Sequence, residues 1–273
     1  MRDTSDHCKG DSLRQLVIDQ EEVLNHKLVR DAANRQGLRR ESGDLLTNAY
    51  LDLITTLRPQ LSVEIGAHEG SFSLQLKERL PSIRALAFEA NPFVYDQYVD
   101  QLRPEIDYER AAIWNRDGEM DFSIPISLKG RPISRANAIS STRGRFHDGF
   151  EYEKVNVRTR RLDTVLSGAE GLRSVAWVDA EGAQREVLEG GHQFFSRVLA
   201  IYIELEREEI WSGQTLDARL IECLADHGLQ LIMIDNLASV QYNTVFVRSG
   251  MDSEVRTIVW DYLKNLRAMV GVE

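Results

Sequence analysis

The sequence predicts an α/β fold with a mostly parallel sheet behind a helical N-terminal extension, and three observations lead there. From residue 61 onward, short apolar runs alternate with helical stretches, the signature of βαβ units. Before residue 61 the apolar residues keep helical spacing instead. The 273 residues, 42% of them apolar, suffice for one large domain or two small ones with a core that needs no covalent staples.

Leu13, Leu16, Val17, Gln20, Leu24 and Leu28 form one helical stripe. Leu45, Leu46, Ala49, Tyr50, Leu53, Ile54 and Leu57 form a second, which stops before Pro59, with Gly37 to Gly43 expected as the connector. Five runs are too short for helices and are predicted as strands: Leu61 to Ile65, Ala85 to Phe88, Tyr108 to Trp114, Val175 to Val178 and Val198 to Ile203. Both faces of Ala85 to Phe88 are apolar, so that strand belongs inside the sheet with helices on each side. Phe72, Leu76 and Leu80 suit a helix after Gly70, although Phe72, Leu74 and Leu76 also alternate.

Residues 119–162 interrupt the βα rhythm and read as an insertion. Glu119 to Ile124 alternates like a strand, and Lys129, Arg131, Arg135, Arg143 and Arg145 follow among Gly, Ser and Pro. Val155, Val157 and Thr159 then alternate into a short helix after Arg161. A helix from Leu216 to His227 precedes strands at Leu229 to Ile234 and Val240 to Val247, which the short Asn236-Leu237-Ala238 segment joins as an antiparallel hairpin. The organisation is a helical extension over 1–60, a main domain over 61–250 and a C-terminal helix over 251–273.

Charge and cysteine content remove several function classes. With 33 basic against 43 acidic residues the formal charge is −10, so electrostatic affinity for nucleic acid or an anionic membrane is not expected of the whole molecule, a local basic patch being the alternative. Cys8 and Cys223 cannot build a disulfide framework or a thiolate zinc site, and a reducing cytoplasm is the expected compartment. The N-terminus lacks a signal-peptide core, and no apolar run approaches membrane-spanning length.

The acids are the most informative feature. Glu64, Glu89, Asp179 and Glu204 each fall at or after the end of an apolar run. In an open parallel sheet those ends share one edge, where ligands bind, so the four acids are expected around one crevice. Helix capping is the competing explanation; it suits Asn91-Pro92 and Asp179 but not Glu64, which lies inside its run. The turn Glu64-Ile65-Gly66-Ala67-His68-Glu69-Gly70 departs from GxGxxG, and it lacks the Lys-Ser/Thr pair of a phosphate loop. Glu89 stands where an acid accepts the hydroxyls of a ribose. Carboxylates around a ribose, with no basic group in the turn, suit a cationic nucleoside, and S-adenosylmethionine is one.

Five segments carry a family resemblance: Val63 to Gly70, Phe88 to Pro92, Arg161-Leu162-Asp163, Val178 to Ala183 and Glu186 to Gly190. In order and spacing they resemble the FkbM-like methyltransferases over roughly residues 61 to 248. The resemblance implies a class I, Rossmann-like fold: a seven-stranded, mostly parallel sheet with an antiparallel C-terminal hairpin. It also implies S-adenosylmethionine-dependent O-methylation of a sugar, polysaccharide or natural-product acceptor. Glu64, Gly66 and Gly70 would line the methionine side, Glu89 would hold the ribose with Asn91 beside it, and Ala67 and His68 would also belong to the cofactor site. Ala112 and Asp179 complete the cofactor set. Two departures stand out: Trp177 replaces the family's usual lysine, and Gly190-Gly191-His192 brings in a histidine.

Methyl transfer requires positioning of the acceptor and removal of its proton. Asp179 and Glu181 are the first candidates for the base, with His68, His147 and His192 next; each histidine has a surface or helix-end role as the competing explanation. Asp179, Glu181 and Glu204 alternatively hold a divalent metal, which is not the favoured reading. Arg131, Arg135, Arg143, Arg145, Glu204 and Trp211 are the candidate acceptor contacts, against a solvated loop and core packing as the plainer roles. A non-catalytic cofactor-binding or scaffold protein of the same fold is the alternative to an enzyme. The N-terminal helices either cover the acceptor pocket or join a second subunit into a homo-oligomer.

Overall fold

The computed structural model describes residues 12–30, 35–143, 149–235 and 240–271. Two helices open it, α1 (Leu13–Arg30) and α2 (Arg35–Leu57). Then come β1 (Leu61–Ile65), α3 (Ser71–Arg79), β2 (Arg84–Glu89), α4 (Pro92–Leu102), β3 (Asp107–Arg110) and β4 (Ala112–Ile113). The insertion contributes β5 (Gly118–Leu128), β6 (Arg131–Pro132) and β7 (Phe150–Arg160). The chain continues through α5 (Leu162–Val165), β8 (Ser174–Val178), α6 (Gln184–Gly190), α7 (His192–Phe195) and β9 (Ala200–Glu206). It ends with α8 (Asp217–Asp226), β10 (Leu229–Ile234), β11 (Gln241–Arg248) and α9 (Asp252–Val270).

Seven strands form the main sheet in the order β10-β11-β9-β8-β1-β2-β3, with β11 antiparallel to both neighbours and the other pairs parallel. This is the architecture the resemblance implies. The order reverses at β1, so the carboxyl edges of β1, β2 and β8 open onto one crevice. Register aligns Glu64 with Trp177 and Trp177 with Tyr202, a row of side chains across three strands on one face.

Three sequence expectations need correction. The run Tyr108 to Trp114 divides: β3 stays at the edge of the main sheet, whereas β4 pairs with β7 in a second, four-stranded sheet. The insertion supplies the other strands of that second sheet, and its long β5–β7 ribbon is ordered structure. Gly37 to Gly43 is not a connector, because α2 runs through both glycines. Each glycine costs a helix roughly 1 kcal/mol, which burial of Leu46, Tyr50, Leu53 and Leu57 on one face of α2 outweighs. Fold and extension therefore share a core. The hairpin turn at 236–238 lies outside the described residues, while its two strands pair as expected.

Core residues of α1, α2, α3 and α9 meet one face of the sheet, and those of α5 to α8 meet the other. The extension also completes polar contacts. Gln20 donates to Ile232 O at 3.0 Å and accepts from Ile234 N at 3.1 Å, satisfying edge strand β10 as a further strand would. The buried Tyr50 hydroxyl donates to Ala176 O at 2.6 Å, with Ala200 O at 3.3 Å. Among the described residues no helix is long and apolar enough to cross a membrane. Tyr50→Phe is expected to lower unfolding free energy by about 1 kcal/mol in urea denaturation. An unchanged midpoint would show that this hydroxyl does not help dock α2 on the sheet.

Candidate functional site

The crevice begins where β1 ends. Gly66 has φ of 78°, and a Cβ there would stand 1.8 Å from Asp179 O, so only glycine lets this turn lie against the end of β8. Asp179 N completes the junction by donating to Ile65 O at 2.9 Å. The glycine thus serves a close approach between two backbones. Beyond it His68, also left-handed at φ of 45°, donates its N–H to Glu89 Oε2 at 2.8 Å. Asn91 N donates to Glu89 Oε1 at 2.6 Å, and the Ala90 backbone also supports the carboxylate, which leaves part of its acceptor capacity for another partner.

These elements wall a cleft that encloses about 670 Å³ of space, part of it open to solvent. Gly66, His68, Glu89, Ala112, Asp179 and Glu181 all line it. Phe88, Ile113 and Phe122 give it an apolar side, and Asn137, Ala138, Ser140 and Thr142 of the insertion line it as well.

Other expected cofactor residues stand behind the wall. Glu64 is buried, accepting from Ser73 N at 3.1 Å at the start of α3. Ala67 packs in the cluster around Tyr95 and Tyr108, and Gly70 faces Leu102 and Ile106. Asn91 caps α4, accepting from Phe93 N at 3.0 Å, while its Nδ2 donates to Arg135 O at 2.8 Å.

Burial dominates the electrostatics. It raises Glu64 and Glu89 to about 7, with the neighbouring charge of Glu89 adding to Glu64 and that of Asp179 adding to Glu89. Asp179 is raised to about 6 by burial, and its Oδ1 has no hydrogen-bond partner among the described residues. Glu204 is pushed well above the usual carboxylate range by burial, then by the charges of Asp179 and Glu181. Carboxylate oxygens of Asp179, Glu181 and Glu204 lie within 4.8 Å of one another.

A second, open groove meets the first at Asp179. α2 forms one wall through Arg39, Arg40, Asp44 and Thr47. The strand edges supply Trp177, Tyr202, Glu204 and Asn243. Sequence spacing missed the α2 residues, because a polar residue on an exposed helical turn looks like any solvated position until the helix is docked.

Several candidates have other roles. His192 begins α7, and its ring nitrogen lies 3.0 Å from that of His227 at the end of α8 rather than on the cleft. Trp211 is fully buried rather than an acceptor platform; its indole donates to Glu181 Oε2 at 3.0 Å and its ring covers Gly182. Arg131 is exposed on β6, and Arg135 pairs with Glu153 at 2.8 Å over the ring of Phe93. Arg143 binds backbone carbonyls and Glu186, which leaves it no part in acceptor contact. Arg145 and His147 lie outside the described residues. Glu181 itself has φ of 42°, a conformation that costs a non-glycine residue roughly 1 kcal/mol and persists only under surrounding restraint.

Sequence comparison with known proteins identifies the family. The sequence model described as "Methyltransferase FkbM domain" matches residues 64–231. The chain is 26% identical over 192 residues to the 2-O-methyltransferase NoeI of Sinorhizobium fredii, covering 66% of this chain and 76% of that protein. Among solved structures it is similar to a precorrin-6y C5,15-methyltransferase from Geobacter metallireducens: TM-score 0.39, 14% identity, 72% of this chain and 86% of that one. It is also similar to an O-methyltransferase family protein from Burkholderia thailandensis: TM-score 0.41, 10% identity, 87% and 70% covered. These two likenesses are too distant to bear on function, whereas the domain match spans more than half of the sequence. The chain belongs to the FkbM methyltransferase family.

Proposed function

We propose that the chain is an S-adenosylmethionine-dependent O-methyltransferase acting on a polyhydroxylated, sugar-like acceptor. One observation carries the reading: Asp179 is shared by the enclosed cleft and the open groove, so a group held in each would meet beside it. Similarity to a 2-O-methyltransferase supports oxygen as the atom methylated.

The cleft fits S-adenosylmethionine by the chemistry of its donors. Glu89 has free lone pairs for ribose hydroxyls, Phe88, Ala112, Ile113 and Phe122 offer an apolar slot for a base, and Gly66 and Asp179 face the remaining end. Buried carboxylates suit its positive charge. Once bound, it supplies a methyl group activated by a sulfonium. Asp179 takes the acceptor's hydroxyl proton, and its pKa of about 6 leaves it ionised at neutral pH yet still basic. The groove offers Asp44, Thr47, Glu204 and Asn243 as hydrogen-bonding partners beside the edge of Trp177, a mixture that suits a polyhydroxylated compound. In this reading α2 forms a wall of the acceptor site.

The close grouping of Asp179, Glu181 and Glu204 favours one further reading, in which a divalent cation bridges them and lowers the acceptor's pKa. Under the primary reading labelled-methyl transfer survives saturating EDTA. Activity abolished by EDTA and restored by Mg²⁺ would select the metal-assisted version.

Two outcomes test the primary reading. Asp179→Asn is expected to reduce transfer by roughly 10² to 10⁴-fold, the range for loss of a general base, while calorimetry still finds S-adenosylhomocysteine bound within about tenfold of the parent affinity. Retained transfer would remove Asp179 from the role. The second outcome concerns pH. Because folding raises Glu89 to about 7, its contribution to stability is fully present below the ordinary carboxylate pKa and is lost as pH rises through 7. A cationic ligand prefers the ionised form, so S-adenosylmethionine affinity should rise through the same interval with proton release. Calorimetry in buffers of different ionisation enthalpy measures both, and an affinity independent of pH would count against carboxylate recognition.

A further inference from the structure

Arg143 lies in the insertion, where an arginine-rich stretch suggests contact with an acceptor. The structure directs its guanidinium inward. Nε donates to Gly182 O at 3.0 Å, and Nη1 to Ser212 O at 3.2 Å and Gly213 O at 2.7 Å. Nη2 pairs with Glu186, and the side chain is only 17% exposed. A planar fork of five donors suits such a set of fixed carbonyls, which a lysine ammonium cannot span.

Two residues earlier, Ser141 Oγ donates to Glu181 O at 2.6 Å. Ser141 and Arg143 therefore hold the consecutive carbonyls of Glu181 and Gly182, which have φ of 42° and 85°. The far end of the same segment is fixed by Asn91, whose Nδ2 donates to Arg135 O and lies 3.2 Å from Ser140 Oγ. Between these anchors Ala138, Ser140 and Thr142 line the cleft.

We propose that Arg143 is a positioning residue that latches this segment over the cleft and holds Glu181 in the left-handed turn directing its carboxylate toward Asp179 and Glu204. The inference rests on the cleft being the S-adenosylmethionine site. It couples two properties: retention of the nucleoside beneath the segment, and the placement of Glu181 against the Trp211 indole. No bond is made or broken covalently.

The test uses the full chain with S-adenosylhomocysteine as probe, comparing the parent with Arg143→Ala, Arg143→Lys and Ser141→Ala. In stopped-flow fluorescence the probe should dissociate about tenfold faster from Arg143→Ala, consistent with loss of charge-assisted hydrogen bonds. Arg143→Lys should behave similarly, and added guanidinium should slow release from Arg143→Ala. The Trp211 indole N–H resonance, assigned with Trp211→Phe, should shift in Arg143→Ala and move back with guanidinium. Parent-like dissociation and an unshifted indole signal in folded Arg143→Ala would overturn the latch. Should Arg143→Ala fail to fold, Ser141→Ala decides: faster release with an unchanged Tm supports the latch, and an unchanged rate overturns it. If the parent itself does not bind the probe, the cofactor reading fails and the latch, which depends on it, fails too.

Discussion

The structure is organised around carboxylates held out of water at the carboxyl edge of one parallel sheet. Isolating an ionised carboxylate costs several kcal/mol, so each must be hydrogen-bonded, protonated or matched by positive charge. Glu64 and Glu89 use the first remedy in part: Ser73 N supports one, and His68 N and Asn91 N support the other. Glu204 has Arg39 acting on it from α2, but burial and the charges of Asp179 and Glu181 still raise it. Asp179 has an oxygen with no protein partner among the described residues. In the proposed function, this excess of acid over compensating base is what receives a cation. That requirement connects the fold to the proposed chemistry more directly than any single motif does.

Backbone geometry gives that edge its shape. The approach of Gly66 to Asp179 O joins the turn after β1 to the end of β8, which puts Asp179 at the corner between two open spaces. On one side the insertion closes the cleft through Asn91 and Arg143. On the other, α2 is anchored through Tyr50 and its apolar face, which turns Arg39, Asp44 and Thr47 toward the groove. The helical extension and the insertion thus wall opposite sides of one residue. In the proposed mechanism neither adds a reacting group, and both limit what reaches Asp179.

The strands and their terminal acids were legible in the sequence because each depends on a local property. Ala85 to Phe88 is apolar on both faces, and Glu64 is conspicuous because a carboxylate inside such a run is costly. Asn91-Pro92 was legible as a cap because its chemistry is confined to one helical turn. What was not legible depends on residues distant in sequence meeting in space. Gly37 and Gly43 look like breakers until α9 and the sheet hold α2 together. His192 follows a motif that begins at the cleft, yet in the fold its ring meets His227 at the end of α8. Trp211 and Arg143 have the residue types of ligand contacts, but their partners, Glu181, Gly182 and Gly213, become neighbours only in the folded chain.

Trp177 shows how a departure from family pattern can be read physically. A lysine two residues before Asp179 would project from the same face of β8, and its charge would favour the ionised carboxylate. The indole in its place lies between Phe72, at 4.9 Å, and Tyr202, at 3.7 Å and nearly parallel, so the stack continues the apolar core to the base of the groove. The dielectric beside Asp179 is thereby lowered without an opposite charge being supplied, consistent with desolvation as the cause of its raised pKa. For a base that must accept a proton from an alcohol this is an advantage, because a carboxylate stabilised by a neighbouring ammonium is a weaker base. The same substitution narrows what the groove can hold: with lysine absent, Arg39 and Arg40 on the α2 wall are its lining cations. In the proposed mechanism, selectivity at the acceptor site is then shared between a strand position that tunes the base and a helix contributed by the extension.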